Sequence, residues 1–453
     1  RHATYEPEPY YLEALRRDPL DSRSNNAMGL LLYKRGQFAK AEGYFRAAIE
    51  SLTRRNANPY DGEPFYNLGL ARMMQGRFDE AYDAFYKAVW NAAWQSAAYF
   101  ELARLATRKG DLEEALCLVD KSLGANWNNH RARHLRAALL RHLGREAEAA
   151  DEITCGLELD ILNLGLTVER SLLNGDPSIR QLFRDNAHTT IEIALDYAWA
   201  GLFDEAEMLL NQAPQIDPMV QYYAGWVSQQ AGDGAAAEAH FAQAAQMSPD
   251  YCFPNRLEAV LALQAAIEHN PDDARAPYYL VNFWYSRKQD AAAGDVWERA
   301  LALDPAYNIP ARNLGLAYVN KRGDLVAGLR MYERAFSLDP TDARVLFELD
   351  QLYQKAGKTP QGRLAFLEQH LDLVAQRDDL TIVRVHLLNL LGQPRRALNI
   401  LENRIFHPWE GGEGKVTGQY ETSLVALARA SLHDGQPDEA INYLQKALVY
   451  PPN

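Results

Sequence analysis

The feature that most constrains this chain is a set of small and aromatic residues that returns at fixed offsets. Gly29, Gly36, Ala41, Phe45 and Ala48 form one copy. Gly69, Gly76, Ala81, Phe85 and Ala88 repeat it, and Gly225, Gly232, Ala237, Phe241, Ala244 and Pro249 repeat it again. Ala, an aromatic and Ala at i, i+4 and i+7 share one helical face. Each copy reads as two antiparallel helices, A then B. The first glycine lets B approach A, the second relieves the turn between them, the aromatic fills the space between pairs, and the proline ends B. A single pair cannot bury its own apolar face, so neighbouring pairs must stack.

Weaker copies keep the frame: Gly110 with Ala115, Gly144 with Ala149, Gly201 with Ala206, Gly392 with Ala397, and Gly435 with Ala440. Ala293, Trp297, Ala300 and Pro305 make a copy without the turn glycine, and Tyr332, Ala335 and Pro340 make one whose turn is a residue longer. Roughly eleven units follow, some degenerate. This frame resembles the tetratricopeptide repeat, and the resemblance implies an all-α, right-handed solenoid, a superhelix of antiparallel helix pairs. Two stretches break the rhythm, 157–187 and 250–271; they bend or divide the array, or are ordinary degenerate repeats. The expected organisation is an N-terminal array over 1–156, an array with irregular helical insertions over 157–271, and a C-terminal array over 272–453.

Three longer segments carry a narrower resemblance: 56–69 (Asn56 to Gly69), 84–99 (Ala84 to Tyr99) and 407–420 (His407 to Tyr420). Together they resemble the repeat region of large bacterial proteins with an N-terminal DUF5107 domain. That resemblance implies a β-sandwich, similar to mutarotase-like sugar-binding folds, ahead of the repeats, and an association with carbohydrate metabolism. The 453 residues hold no such sandwich, so any activity seated in it is not assigned to this chain.

Composition narrows the function. Lys plus Arg number 47 and Asp plus Glu 60, a net charge of −13, which disfavours general nucleic-acid or anionic-membrane binding. Hydrophobic residues make up 47%, enough for a large core. No apolar run spans a bilayer. The cysteines, Cys117, Cys155 and Cys252, are odd in number and far apart, against a disulfide framework or a zinc ribbon. A reducing, cytoplasmic setting is expected. The ends, Arg1 to Pro7 and Tyr450 to Asn453, read as cut from something longer, without a starting Met or a polar capping helix.

The motifs that could carry catalysis are each incomplete. Gly414-Lys415 is followed by Val416, where a phosphate-binding loop needs a hydroxyl for Mg²⁺. His130 and His134 are spaced like metal ligands on a helix, but lack the HExxH partner and sit among Arg131, Arg133 and Arg136, which repel a cation. No nucleophile elbow occurs. No cofactor, metal or catalytic residue is expected of this chain alone; a glycoside-active site arises only together with the missing domain.

The expected function is a non-catalytic scaffold that binds through its concave surface. The repeat frame turns Tyr66, Phe100, Arg104, Arg108, Arg131, His134, Arg141, Tyr222, Trp226, Tyr278, Asn282 and Tyr285 inward as groove residues. Aromatic faces beside arginine and asparagine suit peptides and sugars, and the arginines favour an acidic group. The stretch 407–420 reads as a loop between a helix ending near Phe406 and one starting near Glu421, with Trp409, Glu410, Glu413, Lys415 and Tyr420 as contact residues. The expected partners are a protein or peptide, or an N-terminal β-sandwich domain of the same polypeptide, with carbohydrate a further candidate; neither nucleic acid nor membrane is expected. The alternative is the helical part of a carbohydrate-active enzyme or sugar-binding protein.

Overall fold

The structure, a computed structural model, describes residues 6–175, 183, 186–249, 252–409 and 411–449; of 290–295 it describes the backbone alone. Among the described residues the elements are helices. In the first half these are α1 (Glu8–Arg17), α2 (Ser22–Lys34), α3 (Phe38–Thr53), α4 (Glu63–Met73), α5 (Phe78–Ala88), α6 (Gln95–Lys109), α7 (Leu112–Ala125), α8 (His130–His142), α9 (Glu146–Leu159), α10 (Leu164–Leu173), α11 (Ala187–Ala200), α12 (Phe203–Gln212), α13 (Pro218–Ala231) and α14 (Gly234–Gln246). There follow α15 (Glu258–His269), α16 (Arg275–Ser286), α17 (Asp290–Leu303), α18 (Asn308–Ala317), α19 (Leu325–Leu338), α20 (Ala343–Lys355), α21 (Pro360–Glu368), α22 (Leu371–Gln376), α23 (Asp378–Leu390), α24 (Pro394–Glu402), α25 (Lys415–His433) and α26 (Pro437–Ala447). The chain divides into two compact units, 1–296 and 297–453. Both breaks in the repeat rhythm fall within the first.

The helix pairs form for the reasons the repeat frame gives. A Cβ placed on Gly29, Gly69 or Gly225 of helix A would come within 2.4–2.5 Å of the ring of Phe45, Phe85 or Phe241 on helix B. Only glycine admits that contact, and it seals each ring, leaving Phe45 and Phe85 0% and Phe241 1% exposed. The turn glycines Gly36, Gly76, Gly110, Gly144, Gly201 and Gly232 all have φ between 68° and 89°, the left-handed region that closes a helix. Between one B and the next A, an Asn or Asp ends B and turns the chain: the Leu20 amide donates to Asp18 Oδ1 at 3.0 Å, and Thr341 does the same to Asp339 at 3.0 Å. A second Asp or Asn three residues on caps helix A, as Asp21 does by accepting from the Ser24 amide at 3.0 Å.

Two irregular copies keep this geometry by different means. Where the turn glycine is missing, Lys288 takes its place with φ 61°, alone among the described non-glycine residues in having positive φ. In the copy with the extra residue, the addition lies in helix A and not in the turn. Tyr318–Arg322 forms a π-helical turn, after which Gly323 closes at φ 66°. A π-turn holds one more residue per turn, so Gly315 still lies under Tyr332, its would-be Cβ 2.7 Å from the ring.

Within the first unit, the first helix pair reaches the helices at its far end. A Cβ on Gly36 would meet Val260 at 3.0 Å and Phe283 at 3.5 Å. Gln289 Nε2 donates to the Arg35 carbonyl at 2.6 Å, Gln37 donates to Gln289, and Lys288 pairs with Glu6. The second unit has its own core, including Tyr332, Leu346, Leu349, Val385, Leu388, Ala397 and Leu424. A buried ion pair joins α20 to α21, with Arg363 Nε and Nη2 donating to Asp350 at 2.9 and 2.6 Å. No helix among the described residues is long and apolar enough to cross a membrane.

Candidate interaction site

The residues expected to face a groove lie on helices A, but the first unit closes over most of them. Arg104 is 4% exposed; its Nη1 donates to Glu101 at 2.9 Å, and its guanidinium lies 5.5 Å from the Phe100 ring and 5.8 Å from that of Trp199. Arg131 lies 5.3 Å from the same Phe100 ring and pairs with Asp196 on α11. His134 meets the Tyr197 ring edge-on at 4.7 Å. Gly165 makes room for it, since a Cβ there would lie 2.5 Å from the imidazole. Burial holds the His134 pKa below its ordinary value.

Next to them is a second buried network. Tyr197 donates to Glu169 at 2.5 Å, and Arg141 donates to Glu169 through Nε at 2.8 Å and to Glu205 through Nη2 at 2.8 Å. His142 lies 2.6 Å from Glu205. Burial by itself would raise the Glu205 carboxyl, but the His142 and Arg141 contacts outweigh it and bring it down to about 2. Arg108 donates to the Ala198 carbonyl at 3.2 Å and to Gln230 at 2.8 Å, its guanidinium 4.2 Å from the Phe78 ring.

The remaining groove residues are also taken up. Tyr66 is half-buried and stacks on Trp94 at 4.9 Å. Tyr222 is 0% exposed, donates to Asp273 at 2.8 Å and lies 5.9 Å from Tyr279. Tyr278 is buried beside Tyr279. Asn282 and Tyr285 are half-buried on α16. The expectation of an open, arginine-lined groove is therefore corrected: Phe100, Arg104, His134, Tyr222, Trp226 and Tyr278 are buried, and Arg131 and Arg141 already have carboxylate partners. Side chains brought from distant helices A fill the space between them.

An open space survives in the first unit beside these residues. A cavity of about 250 Å³ is walled by Trp199 and Trp226, which meet edge-to-face at 5.5 Å, with Met73, Met74 and Phe78, and by Gln75, Gln229, Gln230, Gln264 and Glu268. Trp226 alone of the groove residues lines it. Sequence reasoning missed the others, although a signal existed. Met74, Trp199 and Gln230 each stand two residues before a turn glycine, as do Arg108 and His142. That one position of the frame supplies much of the inner surface.

In the second unit the polar stretch begins earlier than expected. Helix α24 ends at Glu402 and α25 starts at Lys415, so the connection runs over 403–414. Lys415 opens α25, and Tyr420 is not a loop residue: it lies inside α25, 2% exposed. Glu410 lies outside the described residues. The His407 amide donates to Asp378 at 2.9 Å and Arg404 Nε to the same carboxylate at 2.7 Å. Burial pushes the Asp378 carboxyl up, but these contacts prevail and hold it below its ordinary value. Trp409 is half-buried against the core and covers Gly412, where a Cβ would lie 2.3 Å from the indole. Gly414, at φ 71°, leads into α25. Phe406, His407, Trp409, Glu413, Val416 and Thr417 help to line a cavity of about 440 Å³.

His130 and His134 do not share surroundings: His130 is exposed and 3.8 Å from Asp160, whereas His134 is buried. Among the described residues no group of His, Cys, Asp or Glu is placed to hold a metal ion.

Comparison with known families agrees with this geometry. Residues 8–59 and 255–308 match one tetratricopeptide repeat model, and residues 423–453 match a second. The chain carries tetratricopeptide repeats. The first two matches open on α1 and α15, which are followed by Asp18-Pro19 and Asn270-Pro271. Among solved structures, the chain is similar to a tetratricopeptide repeat protein from Parabacteroides merdae (17% identity, TM-score 0.31, covering 65% of this chain and 98% of that one). It is also similar to yeast Tom70 (15%, 0.27, 85% and 91%) and to Pseudomonas aeruginosa pilF (17%, 0.28, 49% and 90%). Tetratricopeptide repeats generally bind proteins or peptides.

Proposed function

We propose that this chain is a non-catalytic scaffold whose first unit takes an extended peptide segment at the cavity between Trp199 and Trp226. The composition of that cavity carries the reading. Two indoles and the thioethers of Met73 and Met74 accept an apolar side chain, methionine adapting its shape to the guest. The amides of Gln229 and Gln264 each offer a donor and an acceptor to a peptide backbone, and Gln230, whose carbonyl accepts from Arg108, offers its NH2. Glu268 favours a basic residue in the bound segment. The arginine cluster plays no part in this recognition, since the guanidiniums of Arg104, Arg108 and Arg131 already donate to groups within the unit.

Selection from a displayed random-peptide library against the whole chain tests the reading. The selected peptides should bind Gln229→Ala/Gln264→Ala at least about tenfold more weakly, the effect of losing two hydrogen bonds, with an unchanged melting temperature. Peptides that bind this double variant as tightly as the parent would overturn it.

A second reading rests on the open cavity beside Trp409. Its indole, the Glu413 carboxylate and His407 are the groups that hold a sugar, in keeping with the DUF5107 resemblance and a β-sandwich partner outside this chain. Binding to a glycan panel that disappears in Glu413→Gln would support this reading; a silent panel would remove it.

A further inference from the structure

Two distant turns of the first unit meet at the same station of the repeat frame. Gly36 closes the turn between α2 and α3, and Lys288 the turn between α16 and α17, both with positive φ. Gly36, having no side chain, comes close to Val260 and Phe283. Around it the seam is polar: Gln289 donates to the Arg35 carbonyl at 2.6 Å, Gln37 donates to Gln289, and Lys288 pairs with Glu6. Lys288 and Glu6 are both exposed, so water screens their attraction. Consecutive helices of the unit, such as α2 and α3 or α6 and α7, instead pack along their length. The seam is a weak joint beside these. Lysine also stands where Gly76 and Gly110 stand in other copies, in a conformation that a Cβ disfavours. What that position gives it is the reach to Glu6.

Movement at the seam is transmitted to the cavity between Trp199 and Trp226. Buried polar contacts tie the pair α2–α3 to the pair α4–α5. Asn67 on α4 donates to Asn26 on α2 at 3.0 Å. Glu42 on α3, 6% exposed, accepts from Gln75 at 3.1 Å and from Arg77 at 2.6 Å. These bonds make α2 to α5 one body. Met73, Met74 and Gln75, at the end of α4, give that body one wall of the cavity, while Gln264 and Glu268 on α15 give another. The same α15 carries Val260, which the Gly36 turn touches. The two walls therefore belong to two bodies joined at the seam.

We propose that the seam is a clasp that opens and closes, and that a guest in the Trp199–Trp226 cavity holds it shut by touching both walls. This rests on the peptide reading above. Opening carries α2–α5 away from α15, draws the thioethers of Met73 and Met74 off the indoles, and releases the guest. A guest that binds the closed form better raises its population by its differential affinity. Gln37, Lys288 and Gln289 thus set how long a guest stays without touching it.

Oxidation of the full chain by hydrogen peroxide, followed residue by residue in a mass spectrometer, reads the open form with no guest present. Met73 and Met74 are 4% and 5% exposed and react when the clasp opens; Met219 on α13, 3% exposed, is the internal control. Gln37→Ala/Lys288→Gly/Gln289→Ala removes the polar contacts and leaves at 288 the residue best suited to a positive φ. It should speed oxidation of Met73 and Met74 about tenfold relative to Met219, the effect of losing two hydrogen bonds and an exposed ion pair. Peptides that need Gln229 and Gln264 should leave this variant about tenfold faster as well. Equal methionine rates in variant and parent, or a rise shared by Met219, would overturn the clasp, whether or not such peptides are found. Faster oxidation with unchanged peptide dissociation would overturn the guest's part in closing it. Faster oxidation with no peptide selected would uphold the clasp and remove the peptide reading alone. Should the triple variant fail to fold, Lys288→Gly, which keeps the turn, is measured in its place.

Discussion

The interior of the first unit and the 403–414 connection of the second are built from the same kinds of side chain: aromatic rings beside arginine, histidine and carboxylates. In the first unit these groups come from helices far apart in sequence, Arg131 to Asp196 and Arg108 to Gln230, and they meet one another. In the connection they come from one short segment and its flanking helices, and a cavity of about 440 Å³ stays open beside them. An aromatic and charged face becomes a binding surface only where no second face is brought against it. Whether that happens depends on the small rotation between successive helix pairs, which accumulates along a stack.

The sharpest way to break this comparison is to remove a buried acceptor from the closed region. Glu169 is 1% exposed and accepts from both Tyr197 and Arg141. Glu169→Ala should destabilise the first unit by about 2–4 kcal/mol in denaturant unfolding, since it leaves the buried Tyr197 hydroxyl without its acceptor and Arg141 with Glu205 alone. A loss under 1 kcal/mol would mean that water reaches the network and that the interior is not closed. A smaller effect tests the packing beneath it. Gly69→Ala puts a methyl within 2.5 Å of the Phe85 ring and should cost about 1–3 kcal/mol through overpacking; a neutral result would contradict the seat of that ring.

The pH dependence sharpens the same contrast. Unfolded, His134 takes up a proton near pH 6.5; folded, burial lowers its pKa. Below about pH 6.5 the unfolded state therefore holds the extra proton, and stability falls as pH drops, by at most ~1.4 kcal/mol per pH unit. His134→Phe should remove this part of the slope, and an unchanged slope between pH 5 and 7 would show that His134 is not held neutral. Smallest of all is the change in the open region. Glu413 is exposed, and Glu413→Gln should alter stability by less than about 0.5 kcal/mol, so any larger shift would mean that the connection is closed as well.

The fold was legible in sequence because its determinants are local. The Gly29–Phe45 and Gly225–Phe241 contacts lie within one helix pair, and the residue types needed for them are few. The inward faces were legible too, but not their closure, since nothing near Arg104 announces Trp199 or Asp196. The start of α25 was misjudged because Gly414 and Gly418 both suggested a loop. Gly418 is helical, its amide donating to the Gly414 carbonyl at 2.8 Å; a glycine inside a helix is disfavoured by only about 1 kcal/mol, which the packing of Tyr420 and Leu424 outweighs. Lys288 could not be recognised as a turn residue, because a lysine gives no sign of positive φ.

The π-turn at Tyr318–Arg322 has a consequence for how such arrays change over time. An inserted residue normally rotates everything after it on a helix by about 100° and moves an apolar stripe out of register. Here the mismatch is absorbed before Gly323, and Gly328, Tyr332 and Ala335 keep the stations that other copies reserve for small, aromatic and small residues. Length variation is thereby confined to one helical turn. A lineage of such chains can gain or lose a residue inside a helix without passing through a misfolded ancestor, and deleting one residue from 318–322 would be the reverse of that step.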